Sequence, residues 1–158
     1  MSNFAFIEQE WPEVFEECSL AETYLTNDPR SACIYGRRVA EMLVQYIYEV
    51  SGLPESYVSD LAARVNDPAF KNLTGHSVTY RLNAIRKVGN TAAHGTGTVS
   101  LETATQVLRD LYTVVKWAMF NYSTNPGAVP LNSEFDPKLA AARAPLSCLL
   151  YTSDAADE

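Results

Sequence analysis

Proline and glycine divide this chain into helices. Asn27-Asp28-Pro29 opens a stretch whose apolar residues recur every three or four positions, at Ala32, Val39, Met42 or Leu43, Tyr46, Ile47 and Val50, until Gly52 and Pro54 close it. Asp28 offers a side-chain oxygen for an N-cap, proline loses nothing in a first turn, and glycine suits a helix end. The pattern repeats along the chain. Trp11-Pro12-Glu13 opens a first helix that runs to about Thr26, with Val14, Phe15, Cys18, Ala21 and Leu25 on one stripe. A third long helix covers "SVTYRLNAIRKVGNTAAH" and stops at Gly95. The last starts at Ser100, with Glu102 near its positive end, and passes through Leu108, Leu111, Val115, Ala118 and Met119 to about Tyr122. Residues 54–76 read as a connection with short helical pieces capped by Ser59 and Asp67. Alternating strand runs flanked by hairpin turns are missing. Four principal helices with short connections imply an all-α antiparallel bundle built from two hairpins.

Hydrophobic residues make up 47% of the 158 and charged residues 20%, an ordinary balance for one globular domain. Charge interrupts even the longest apolar stretches, such as "TVVKWAMF", so a membrane partner is not expected. The start, "MSNFAFIEQEWPE", lacks the basic residues and apolar run of a signal peptide, which makes the cytoplasm the expected location. The net charge of −7 is unevenly spread: residues 1–29 carry −7 with no Lys or Arg, whereas residues 30–123 carry +3. A basic face behind an acidic first helix is therefore available to nucleic acid. Cys18 and Cys33 sit at apolar positions and read as small buried hydrophobes. With only His76 and His94 and no Cys or His partner at ligand spacing, no metal site is expected; His76 receives no role.

The candidate chemistry lies in "IRKVGNTAAHG", residues 85–95. Arg86, Asn90 and His94 follow one another at intervals of four and share a helix face, drifting by roughly 40° per step. Such a face suits metal-free cleavage of RNA, in which a histidine moves the proton of a ribose hydroxyl and an arginine stabilises phosphorane charge. Gly95-Thr96-Gly97 lacks the Gly-Lys-Ser/Thr ending of a phosphate loop and reads as a helix end and turn.

This segment resembles the HEPN superfamily, four-helix bundles whose signature is an arginine, a polar residue such as asparagine, three more residues and a histidine. Within it, residues 1 to about 140 most resemble the helical domain of unknown function at the N-terminus of type I restriction endonuclease R subunits. "MSNFAFI-EQEWPE", "DPRSACIYGRRVAEML", "AIRKVGNTAAHG" and "FDPKLA" carry that likeness. In the catalytic pattern the arginine would fall at position 89, where this chain has Gly89. Arg86 is a poor substitute: eight residues before His94 is roughly 12 Å along a helix, and side chains lean toward the N-terminus. Asn90 and His94 are then expected to bind or support structure, with Arg37, Arg38 and Glu41 of the second helix as partners. Arg37 and Glu41 are themselves an i,i+4 pair. A plainer alternative has His94 capping its own helix by bonding a neighbouring carbonyl.

Residues 1–123 are expected to form the bundle and residues 124–147, containing four prolines, a linker toward a further region. Residues 148–158, "CLLYTSDAADE", resemble translated sequencing adapter, so the natural frame is expected to continue past Ser147. The resemblance implies a non-catalytic accessory domain, docking or sensing nucleic acid or an effector, in an R subunit that uses ATP and magnesium elsewhere. No cofactor is expected in the portion present. Expected partners are other restriction-modification subunits, DNA or RNA, or a second copy of the chain. Two competing readings stay open: a stand-alone HEPN ribonuclease or toxin using His94, and a structural helical dimerisation module.

Overall fold

The computed structural model describes residues 1–55 and 60–145. The expected cap at Ser59 and the adapter-like segment 148–158 lie outside them. Among the described residues the chain is all-α. Its long helices are α1 (Pro12–Tyr24), α2 (Pro29–Ser51), α5 (His76–His94) and α6 (Leu101–Tyr122); the short ones are α3 (Leu61–Asn66), α4 (Pro68–Thr74) and α7 (Pro137–Ala141).

Local chemistry explains the boundaries. Asp28, Asp60, Asp67, Ser100 and Asp136 each accept an amide of the first turn that follows, and Pro12, Pro29, Pro68 and Pro137 sit in first turns. Asp60 caps α3, one residue after the serine expected to do so. Gly52 ends α2 at φ +67, the left-handed conformation that glycine adopts without steric penalty.

Helix α2 is the hub, packing on α1, α5 and α6, while α5 and α6 pack on each other. A helix touching three neighbours buries more than one stripe. Besides the expected Ala32, Val39, Leu43 and Ile47, it buries Gly36, Ala40, Val44 and Tyr48, while Val50, expected inward, is 48% exposed. Tyr48 stacks on Phe70 and donates its hydroxyl to the Arg64 carbonyl at 2.6 Å, fixing α3 and α4 against α2. Thr74 and Thr79 share a hydrogen bond at 3.2 Å and hold the corner between α4 and α5.

Residues 124–145 depart from the linker expectation, because they pack on the bundle. Val129, Phe135 and Ala140 are buried, and Phe135 sits against Phe4 and Tyr112. Asn3 exchanges two hydrogen bonds with the backbone of Asp136, and Lys116 donates to the Ser133 carbonyl. Isolated apolar residues among prolines have no period to betray them. They are nevertheless the cover of the core's N-terminal end.

Candidate functional site

The face expected to carry Arg86, Asn90 and His94 lies on the C-terminal half of α5. Arg86 is half-buried, and its guanidinium donates to the Asn83 side-chain oxygen from Nε at 3.3 Å and from a terminal nitrogen at 3.1 Å. Asn83 is one turn toward the N-terminus, the direction in which helical side chains lean. Arg86 therefore turns away from His94. Asn90 is half-buried, and His94 is the exposed last residue of α5.

Arg30, not His94, closes this helix end. Its guanidinium donates to the carbonyls of Ala92, Gly95 and Gly97, where the exposed acceptors and the negative end of the helix dipole favour a cation. Sequence reasoning passed over Arg30 because 62 residues separate it from Ala92.

The expected second-helix partners divide. Arg38 pairs with Glu17 of α1 at 3.0 Å and lies over the Tyr35 ring, so it faces α1. Arg37 pairs with Glu41 at 3.3 Å, and its stem crosses α5 at Gly89. A β-carbon placed on Gly89 would lie 2.6 Å from Arg37 Cβ, 3.0 Å from Cδ and 3.2 Å from Cγ. The position where the nuclease pattern calls for arginine is thus filled by the neighbouring helix. Among the described residues, no hydrogen bond joins Asn90 or His94 to Arg37, Arg38 or Glu41.

The two described cysteines are free and buried. Burial pushes the Cys33 thiol up to about 11, and burial, with Glu22 and then Glu17 nearby, pushes Cys18 well up, so neither supplies thiolate at neutral pH. No group of three or more His, Cys, Asp or Glu among the described residues is placed to hold a metal ion, and no helix of the described residues is long and apolar enough to cross a membrane.

A family described as a domain of unknown function, DUF4145, matches residues 19–122. The chain belongs to this family. The DUF4145 match runs from within α1 to the end of α6, so it includes Arg86, Gly89, Asn90 and His94 along with the whole α2–α5 contact. No curated protein and no solved structure matches the chain.

A second surface of the DUF4145 domain, beside the face of Asn90 and His94, also carries unpaired positive charge. Between Asp67 and Glu102 the chain has no acidic residue, yet it holds Lys71, Arg81, Arg86, Lys87 and both histidines. Arg81 is directed to Asp110 of α6 at 3.9 Å. Burial lifts the Asp110 carboxyl above its usual value, while the Gln106 hydrogen bond and then Arg81 pull it down. Lys71, Lys87 and Arg86 have no ion-pair partner among the described residues. The readable signal was the acid-free run itself, masked when charge is totalled over residues 30–123.

Proposed function

We propose that this DUF4145 domain is a non-catalytic binding module, the HEPN-like N-terminal accessory domain of a type I restriction endonuclease R subunit. In that role it engages nucleic acid or neighbouring subunits while a separate region performs ATP-driven translocation and metal-dependent cleavage. The observation that carries the reading is the occupation of the Gly89 site by the Arg37 stem, together with the attachment of Arg86 to Asn83. Arg86 is turned from His94 toward Asn83, and Arg30, at the helix end beside His94, has its guanidinium engaged by the carbonyls of Ala92, Gly95 and Gly97. Charge stabilisation at a reacting phosphate is usually the largest catalytic contribution, so a lone exposed histidine leaves little activity.

The test is a ribonuclease assay of the protein and its His94→Ala variant on structured and unstructured RNA, in the presence of a chelator. Equal background from the two is expected. Cleavage that disappears with His94 would overturn the non-catalytic reading and favour a ribonuclease.

A further inference from the structure

We propose that the open groove between α4 and residues 76–87 of α5 binds a single strand of nucleic acid, with Lys71 and Lys87 on its phosphates and Tyr80 stacked on a base. The proposal rests on the binding-module reading above and names the place and class of ligand within it.

The groove has a volume of about 760 Å³ and is lined chiefly by Lys71, Asn72, His76, Tyr80, Asn83 and Lys87. Its floor is rigid. Phe70 and Thr74 are buried, so α4 turns Lys71 and Asn72 outward. Asn83 is fixed by a reciprocal amide pair with Asn66 of α3 and by Arg86. Tyr80 is 64% exposed, with the His76 ring 6.4 Å away, centroid to centroid. A large aromatic ring left in water beside lysines gains by covering its face.

Charge selects the ligand. The chain as a whole is −7, but the whole lining comes from the acid-free run. No carboxylate from that run opposes an anion there. The nearby Arg86 charge is hydrogen-bonded to a neutral amide, so it adds to the positive field. Phosphodiesters supply repeated negative charge, and unpaired bases supply flat faces. A groove with cations along it and an aromatic platform is the usual way a protein holds a single strand without reading its sequence. A duplex keeps its bases stacked on each other and offers Tyr80 no face. The eleven steps from His76 to Lys87 span roughly 16 Å of helix, room for only a few nucleotides.

The experiment uses the full chain and fluorescein-labelled twelve-nucleotide oligouridine, oligothymidine and a duplex of the same length, followed by anisotropy from 50 to 300 mM salt. Single strands are expected to bind better than the duplex, with affinity falling steeply as salt rises. Lys71→Glu with Lys87→Glu should abolish measurable binding, and each lysine removed singly should flatten the log–log salt slope by about 0.7. Tyr80→Ala should weaken binding by about tenfold while leaving the slope unchanged. Lys138→Glu on α7 is the charge control and should lower affinity far less. All these side chains except Tyr80 carry charge at the surface, so folding is not at stake, and thermal melts verify it. Unchanged affinity in the groove variants, preference for duplex, or an equal loss in Lys138→Glu would overturn the groove. If binding instead depends on His94 or Asn90, the groove is wrong and the module reading stands. If no oligonucleotide binds at 50 mM salt, the groove falls, whereas the non-catalytic reading falls only to a His94-dependent nuclease.

Discussion

Replacing Gly89 with alanine sets two opposing terms against each other. Alanine in a helix interior is favoured over glycine by about 1 kcal/mol, so a free position would gain stability. Here the added carbon would lie 2.6 Å from Arg37 Cβ, against an ordinary carbon contact of about 3.5–4.0 Å. The outer atoms of the arginine stem swing aside easily. Its Cβ is fixed to the backbone of α2, so relief demands that α2 and α5 separate by about 1 Å. Overpacking of this kind costs about 1–3 kcal/mol, and a backbone-anchored clash belongs at the upper end. Gly89→Ala is therefore expected to destabilise the protein by about 1–2 kcal/mol, lowering the melting temperature by about 3–6 °C. The check is a double-mutant cycle with Arg37→Gly, read by chemical denaturation. In the Arg37→Gly background the same alanine should stabilise by about 1 kcal/mol, giving a coupling of about 2–3 kcal/mol. Gly89→Arg, which writes the arginine of the nuclease pattern, should be less stable still and gain no ribonuclease activity. An alanine variant as stable as the parent, with no coupling to residue 37, would refute the reasoning.

Three further outcomes follow from other contacts. Arg30→Met keeps the stem but strips the end of α5 of its donors. It should cost about 1–3 kcal/mol and speed amide exchange around residues 92–97 selectively; exchange unchanged there would show that the guanidinium caps nothing. Glu22 is fully buried, accepts from Ser2 and Asn3, and lies 3.7 Å from Arg143, so Glu22→Ala should cost about 3–5 kcal/mol and Glu22→Gln distinctly less, as measured by urea melts. Glu10 accepts from the backbone and hydroxyl of Thr124, and the backbone bond chiefly holds its carboxyl below the usual value. A depressed carboxyl stabilises the fold above its unfolded value, about 4.3, and that contribution is lost as pH falls through the lower folded value. Protection of the Thr124 amide should therefore decline below about pH 4 in the parent and show no such step in Glu10→Gln.

The helices were legible because their signals are local. Asp28-Pro29, Asp67-Pro68 and Ser100 announce helix starts within a few residues, and the stripes of α1 and α6 point to one side. Long-range partners were not legible. Nothing near Gly89 in the sequence says that Arg37 crosses there, and nothing near His94 says that Arg30 takes the carbonyls at that helix end. Glu22 looks like one more acid on an acidic helix until the first residues fold back over it. At the site, the departure at position 89 was visible in the sequence. The groove at Lys71, Tyr80 and Lys87 was not, because its residues come from two helices and only their lack of acidic neighbours leaves a trace.

The exchange of hydrogen bonds between Asn3 and Asp136 also has a mechanical meaning. A pull applied between those two residues is carried first by that pair, in parallel with the Glu22 contacts, and not by the four long helices in series. Tension bypasses the bundle until the clasp gives way. Up to that force the bundle behaves as a rigid bead, and α2, α5 and the groove beside them keep their shape while the load stays on residues 3 and 136.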